Sequence, residues 1–509
     1  MSEVVARPGR PATIVFPSLV VGSFAALAAA SLSGRTSLIG LAAVLAAASL
    51  LVGMSTYRLE WRLLLAGLVL VILFIPIRRY TFPGNLPFAL EPYRILVALL
   101  LTGWLASSLI DRRVRLRRTF LDPTIALILF AVLASLLVNV ERATSLQAEV
   151  LKALTFFASF VLLFYLVASV VRKVDDIDVL VKILLVGGAV VAMLSVVEYW
   201  TGVNVHDSVL TRMPFLEYNV PVGLERGAGV RRAFGSAEHP IALGAALTML
   251  IPLALYIAKT SGRRYWWAVL LILVLGTLTA VSRTSVLMLV AAAIVVVVLR
   301  AREAARLVPL AVVMIVLAQV AVPGSVGTLK YFFFPEEGLV QEQRSSEGSC
   351  LSQGRVADIG PSLDEYSREP LLGYGFGTRV TVGSEANACL LDNQWLGSLL
   401  ETGTVGALAF LWLFVRYVRR LGRVARADAS PLGWLAVALA ASVTSFAIGM
   451  FVFDAFSFIQ VTFLLFILLG LGTAVVAEHR RRASTPRYAY RRRTPSASRI
   501  RMGRTRRVC

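Results

Sequence analysis

The stretch RRAFGSAEHP contains two adjacent cations, Arg231 and Arg232, directly before a long apolar run. A planar guanidinium group grips phosphate oxygens in a forked geometry, so this pair suits a phosphate ligand. Gly235 permits a turn, and Pro240 can begin the next helix. The alternative interpretation is interfacial anchoring, because arginines often stand at the ends of membrane spans.

Two further arginines stand in polar segments. Arg283 lies in the short turn SRTS between two apolar runs, and Arg355 follows Gly354 in a long polar stretch. A charge at the depth of Arg283 is costly in a membrane, so either it has a function or its side chain snorkels to the headgroups. After Arg355 come glycines that we expect to let the backbone pass close to another surface: Gly373, Gly375 and Gly377.

The stretch LLDNQWLGSLLETGTVG supplies candidate acid–base groups. Asp392 and Asn393 either cap the helix that starts at Gln394 or line a cavity at the membrane face. Glu401 lies about two turns farther along, where a carboxylate costs free energy unless it is paired. Capping alone does not explain Glu401.

Composition places these residues in a membrane protein. Of the 509 residues, 57% are hydrophobic and only 16% are charged, which is too little polar surface for a soluble protein of this size. Apolar runs without strand alternation favour helices. The sequence predicts an all-α integral membrane protein with about fourteen spans. They lie near residues 13–33, 36–54, 61–77, 90–110, 122–140, 149–171, 178–199, 240–258, 266–281, 284–300, 306–322, 391–418, 432–453 and 457–477.

Basic loops set the predicted orientation. Arginine-rich segments follow alternate spans, which puts those loops and both termini in the cytoplasm. Two long loops then face outward. The predicted division is N-terminal transmembrane helices at 1–199, an outer loop at 200–239, transmembrane helices at 240–322, a large outer loop at 323–390, C-terminal transmembrane helices at 391–478 and a basic, disordered cytoplasmic tail at 479–509.

The net charge of +21 does not indicate nucleic-acid binding. From Arg480 onward the tail holds twelve arginines and no acidic residue, and we expect it to lie on anionic membrane lipids. Cys350 and Cys389 share the large outer loop, where they either form a disulfide or remain free thiols. No cysteine or histidine spacing is typical of a metal site.

These motifs, in this order, resemble the O-antigen ligase and polymerase family of bacterial envelope enzymes. RAFGSAEHP from Arg232 resembles the family's arginine, glycine and His-Pro pattern, and Ser282–Arg283 its short SR turn. Gly354–Arg355 with PLLGYG resembles its GR and P-x-x-G-x-G elements. DNQWLGSLLETGTVG resembles its closing HN-x-x-L and E-x-G-x-x-G elements. The resemblance covers roughly residues 225–415.

The resemblance implies a membrane-embedded glycosyltransferase that acts on the outer face of the bacterial plasma membrane without metal or other cofactor. The implied donor is a glycan on undecaprenyl diphosphate, and the acceptor is a glycan or a lipid. Arginines then stabilise the diphosphate leaving group. Arg232 and Arg355 are the first candidates for this task. The implied substrate-binding residues are Arg231, Arg283, His239 and Glu401.

The resemblance implies that Asp392 is the general base, at a position where the ligases have histidine. An aspartate of pKa near 4 is a weaker base unless its surroundings raise that pKa. This departure favours a polymerase, or a ligase for another acceptor, over a lipid A-core ligase. His239 and Glu238 are alternative groups for the proton transfer. Glu401 is expected to brace one of the arginines.

Two other classes of protein compete with the enzyme. A lipid-linked oligosaccharide flippase or other polytopic transporter suits the number of spans, but transporters tend to show paired repeats with helices broken at mid-membrane. We find no convincing repeat between the halves of the chain. A non-catalytic envelope scaffold or sensor gives no reason for outward-facing arginines.

Overall fold

A computed structural model shows a bundle of long helices. It describes residues 61–83, 91–110, 116–213, 216–218, 226–227, 230–321, 358–381 and 385–484. The predicted spans at 13–33 and 36–54, most of the tail, and two predicted residues, Arg355 and Cys350, lie outside this part of the chain.

The described part of the chain contains long helices and a few short ones. In the first half they are α1 Trp61–Phe74, α2 Pro92–Ile110, α3 Asp122–Val138, α4 Val140–Ser145, α5 Gln147–Val170, α6 Val174–Thr201 and α7 Val205–Leu210. In the second half they are α8 Pro240–Thr260, α9 Tyr265–Thr279, α10 Arg283–Ala321, α11 Ile359–Tyr366, α12 Gln394–Ala427, α13 Pro431–Gly449 and α14 Ile459–Ser484, with a 3₁₀ turn at Ala455–Ser457. Two short antiparallel ladders pair β1 Tyr80–Thr81 with β2 Glu217–Tyr218, and β3 Arg226–Gly227 with β4 Val230–Arg231.

The helical prediction agrees with the structure, whereas the predicted number of spans stays unconfirmed. Every predicted span after residue 60 coincides with a helix. Among the described residues, 7 helices are long and apolar enough to cross a membrane. Four more apolar helices are shorter, at 10–17 residues: Trp61–Phe74, Pro92–Leu105, Asp122–Val138 and Tyr265–Thr279.

Two helices occupy the interior of the bundle. In α14 every residue from Ile459 to Val476 is buried, and the helix packs chiefly against α5 and α13. In α8 nearly every residue is buried against α9, α13 and α10. Other helices expose apolar rows, such as Val290, Ile294 and Val297 of α10. Such a row suits contact with lipid tails.

Two of the long helices contain breaks. The backbone of Arg300 is non-helical (φ −143°, ψ 47°), so α10 is two helices joined at a kink. This kink stands where the sequence predicts a loop between the spans at 284–300 and 306–322. Helix α12 is interrupted at Gly403, which has φ +65° and ψ −168°. The second break shapes the candidate site.

Candidate active site

A cavity of about 460 Å³ lies where the first turns of α12 meet α5 and the segment between α13 and α14. Its cationic lining residues are Arg78, Arg94, Lys152 and Arg379. Its acidic lining residues are Glu149, Glu401 and Asp454. Its phenylalanines are Phe156, Phe157, Phe160, Phe376, Phe410, Phe456 and Phe466. The cavity therefore joins groups that bind anions to a wall that suits an apolar chain.

The helix break at Gly403 creates one side of this cavity. Because α12 is interrupted there, carbonyl groups of the preceding turn are free to bond outside the helix. The Tyr374 amide donates to the Leu400 carbonyl (2.8 Å), and the Gly375 amide donates to the Glu401 carbonyl (3.1 Å). The return of the large loop is thus bonded to the interrupted helix.

The glycine series makes this close approach possible, as the sequence predicts. Gly373, Gly375 and Gly377 all have positive φ (67°, 106° and 73°), a conformation that side chains disfavour. A Cβ atom on Gly373 would collide with the backbone of Leu400 and Glu401. The interpretation of these glycines as a close backbone contact is confirmed.

Helix α3 holds the same junction from the other side. The Ser135 hydroxyl donates to the Glu401 carbonyl, and the Asn139 side-chain amide donates to the Gly373 carbonyl (2.8 Å). The Glu401 carbonyl thus accepts two hydrogen bonds, one from Ser135 and one from the Gly375 amide, which offsets the cost of a polar group in an apolar bundle. The break is therefore fixed by three segments of the chain.

The polar start of α12 divides into a cap and a group beside the cavity. Asn393 is the N-cap, since its side-chain oxygen accepts from the Leu396 amide (3.1 Å). The Gln394 side-chain oxygen accepts from the Phe456 amide (2.7 Å), which ties this turn to the segment before α14. Asp392 precedes the cap, and both of its neighbours in the chain line the cavity.

Asp392 belongs to a group of neighbouring carboxyls. Burial raises the pKa of Asp454, and the charge of Asp392 raises it further. Burial and then the same neighbour also raise the pKa of Asp358. The negative charge of Asp392 thus acts on two neighbouring carboxyls, and its role as general base stays a prediction.

Glu401 lines the cavity, and guanidinium groups lie near it. Its carboxylate accepts a hydrogen bond from the Gly377 amide and is within electrostatic reach of Arg379 and Arg142. Arg379 is itself paired with Glu365. The expected bracing of an arginine by Glu401 stays a prediction.

Arg231 and Arg232 contact the C-terminal ends of neighbouring helices and are not among the lining residues. Arg231 Nη1 donates to the carbonyls of Tyr199 (3.1 Å) and Trp200 (3.0 Å), in the last turn of α6. Arg232 Nε donates to the Ala280 carbonyl (3.2 Å), which directly follows α9. Both cations thus stabilise the carbonyl ends of helix dipoles, and a ligand role for either stays a prediction.

His239 and Arg283 stand at helix starts. Nδ1 of His239 accepts from the Ile241 amide (3.2 Å) and caps α8, while its ring packs against Phe458. The proton-transfer role considered for His239 stays a prediction. Arg283 is the first residue of α10.

All four cationic residues that line the cavity were missed by the sequence reasoning. Arg78 and Arg94 come from the connection between α1 and α2 and from the start of α2. The predicted topology puts Arg78 and Arg79 on the outer face, where the positive-inside rule disfavours arginine. The signal that singled out Arg231 and Arg232 therefore applies equally to this pair.

Glu238 lies behind the cavity wall, where it contacts Arg78. Its Oε2 is 3.3 Å from Arg78 Nη1. Burial raises the pKa of Glu238 to about 7, although the charge of Arg78 opposes the rise. His239, the next residue in the sequence, instead caps α8.

Cys389 lines the cavity and is disulfide-bonded. Its predicted partner, Cys350, lies outside the described residues. Within the part of the chain that the structure describes, no group of three or more histidine, cysteine, aspartate or glutamate side chains could hold a metal ion.

The segment that contains the helix break is also part of a match to a known protein family. Residues 268–411 match the family model for O-antigen ligase. The match confirms the resemblance inferred from the motifs, and it includes Arg283, Asp392, Glu401 and the break at Gly403. No curated protein matches the chain significantly.

The O-antigen ligase segment and the apolar helices together support a multi-pass membrane enzyme that ligates or polymerises glycans. The matched family implies, in general terms, a lipid-linked glycan and an acceptor as partners. The segment supplies only part of the cavity, because Arg78, Arg94 and the α5 residues come from outside residues 268–411.

Proposed function

We propose that this protein transfers or polymerises undecaprenyl-diphosphate-linked glycan at the outer face of the bacterial plasma membrane. The cavity's composition is the observation that supports this most directly. Four cationic side chains share one space of about 460 Å³ with seven phenylalanines. A polyprenyl diphosphate needs the same combination, with guanidinium groups for its phosphates and an apolar wall for its isoprenoid chain.

In the proposed reaction the acceptor hydroxyl loses its proton to Asp392 and attacks the anomeric carbon of the donor glycan. The bond from that carbon to the diphosphate oxygen breaks, and undecaprenyl diphosphate leaves with the electron pair. Arg232 and Arg355, together with the cavity's cations, stabilise the charge that develops on the leaving group. The step needs no oxidant or further reactant.

The remaining candidates act on the substrate or on its surroundings. Arg283 and Glu401 are proposed to contact it. The partners of Arg231 and His239 favour a positioning role for both, since each stabilises the end of a helix beside the outer loop. The position of Asp392 supports its assignment as base, because it directly precedes the first turn of α12 and both of its neighbours in the chain line the cavity.

The test is transfer of a glycan from undecaprenyl diphosphate by the purified protein in lipid. Wild type is compared with the Asp392→Ala, Arg232→Ala and Arg355→Ala variants. We expect each variant to lose about 100-fold or more in rate, because each removes a transition-state interaction. Arg263→Ala is the matched control, since Arg263 is exposed on the turn between α8 and α9.

The products distinguish the remaining alternatives. Glycan chains that lengthen indicate a polymerase, whereas turnover only after an acceptor is added indicates a ligase. Full activity of Asp392→Ala would contradict the base assignment. Movement of lipid-linked sugar across the bilayer without any transfer would contradict the enzyme and support a transporter.

A further inference from the structure

We propose that Glu238 is a proton-sensitive partner of Arg78, and that binding of a diphosphate at Arg78 is coupled to the uptake of a proton by Glu238. This inference rests on the proposed function, because it takes the cavity to be the site of a diphosphate. It adds two residues that lie outside the O-antigen ligase segment.

Arg78 is held so that its guanidinium reaches the cavity. Its φ of +66° is unusual for a residue with a side chain, and its backbone amide donates to the Glu91 carboxylate. The side chain lines the cavity and is 49% exposed. An anion that enters the cavity can therefore reach this guanidinium.

Glu238 faces Arg78 from the protein interior. Its side chain is only 9% exposed, and Oε1 is buried without a hydrogen-bond partner among the described residues. Oε2 lies 3.3 Å from Arg78, longer than a typical charge-assisted bond. The Ile459 amide also donates to this carboxylate. A carboxylate so poorly satisfied gains little from being charged.

The other charged groups near Glu238 already have partners. Arg79 is 3.3 Å from Asp207, and Glu91 is 2.9 Å from Arg94. The charges of Arg78 and Arg79 favour the ionised form of Glu238, whereas burial and the charge of Glu91 disfavour it. Tyr93 also lies within electrostatic reach. Arg78 is thus the cation whose pairing depends directly on the state of Glu238.

The charge balance at this end of the cavity favours the coupling. Two guanidinium groups, Arg78 and Arg94, stand beside three carboxyls, Glu91, Glu238 and Asp454. With all five ionised, two positive and three negative charges leave a net charge of −1, which repels a diphosphate. A proton on Glu238 removes one negative charge and releases Arg78 to the ligand.

The experiment measures equilibrium binding of a polyprenyl diphosphate-linked N-acetylglucosamine to the purified full chain in lipid, from about pH 6 to about pH 8.5. This probe is a diphosphate diester, so its own charge stays constant over that range. A pKa of Glu238 near 7 predicts that the wild-type Kd rises by up to about tenfold per pH unit above pH 7. Glu238→Gln is expected to bind at every pH about as wild type binds at the lowest.

Further variants separate this coupling from a loss of folding. Arg78→Ala is expected to bind weakly at all pH values, whereas Arg78→Lys is expected to bind more weakly than wild type but to retain the pH dependence. Glu303→Gln is the matched control, because Glu303 is a paired carboxylate (2.6 Å from Lys259) that does not line the cavity. It should bind as wild type does.

The outcomes distinguish the two proposals. Any of three results overturns the coupling and leaves the proposed function standing. They are a wild-type Kd that is constant with pH, a Glu238→Gln variant whose Kd depends on pH as that of wild type does, or an Arg78→Ala variant with wild-type affinity. No binding of the probe by wild type at any pH overturns the proposed function itself.

Discussion

At the scale of single residues, Asn393 and Glu238 show how position decides the role of a polar group before a membrane helix. Asn393 accepts a hydrogen bond from the first turn of α12 and serves as a cap. Glu238 precedes α8 but leaves capping to His239, and its carboxyl turns toward Arg78. Asn393 stabilises a helix, whereas Glu238 is a buried carboxyl whose ionised form is disfavoured.

Glu238→Gln is expected to stabilise the protein at high pH. The folded-state pKa of Glu238, about 7, exceeds its usual value of 4.5. A raised acid pKa contributes stability that is full below pH 4.5 and is lost as the pH rises through 7. Ionisation of Glu238 therefore lowers the free energy of unfolding of wild type by as much as about 3 kcal/mol, whereas glutamine does not ionise and the variant avoids this loss.

Thermal unfolding at pH 5 and pH 8 measures this effect. The variant should unfold at a higher temperature than wild type at pH 8, and the difference should shrink at pH 5. Glu303→Gln, which removes a paired carboxylate, should show no gain at pH 8. Equal behaviour of Glu238→Gln and wild type at both pH values would contradict the expectation.

At the scale of secondary structure, the break in α12 determines the shape of the site. Gly403 allows the helix to stop, and the returning loop then bonds to the freed backbone. Gly403→Ala is expected to cost at least about 1 kcal/mol of stability, because alanine disfavours φ +65°. The new Cβ would also collide with the Leu371 carbonyl. The rate of glycan transfer should also fall in this variant, because the helix break sets the position of Glu401 at the cavity.

Gly422→Ala is the matched control for this break. Gly422 lies in the same helix, and its Cβ would meet Leu299 Cδ2 at an ordinary 3.6 Å. Alanine favours a regular helix over glycine by as much as about 1 kcal/mol, so this variant should unfold no earlier than wild type. Chemical unfolding of both variants measures the difference. An equal loss in both would show that the break has no special role.

The sequence predicted these elements better than it predicted their contacts. Apolar runs located the helices, and the glycine spacing in PLLGYGFG indicated the close backbone approach seen at Gly373. The pairing of Arg78 with Glu238 could not be predicted, because the two residues lie far apart in the chain and no local pattern links them. Asn393 and Asp392 were equal candidates for the cap, and only the geometry separated them.

At the scale of the whole molecule, the two ends of the bundle differ in chemistry. The cavity lies at the end where α8, α12 and α14 begin. At the end where these helices finish, Arg300 Nη2 donates to the Asp428 carbonyl (2.6 Å), and His479 lies 3.9 Å from Asp428. Arginines are frequent at this second end of α12 and α14, which favours a cytoplasmic position.

Cysteine labelling tests the orientation. In a Cys509→Ser background, Glu385→Cys should react with a membrane-impermeant thiol reagent in intact cells, since Glu385 is exposed near the cavity end. Arg263→Cys, on the exposed turn after α8, should react only after the cells are permeabilised. The reverse pattern would put the cavity in the cytoplasm and exclude the proposed reaction at the outer face.

The buried position of α14 has a consequence for how the protein is made. This helix is the last of those described, yet it packs between α5 and α13 and also contacts α12, α8, α6 and α1. During synthesis the N-terminal helices leave the ribosome first. Because α14 fills the space between them, we expect the earlier helices to reach their final packing only after α14 has entered the membrane.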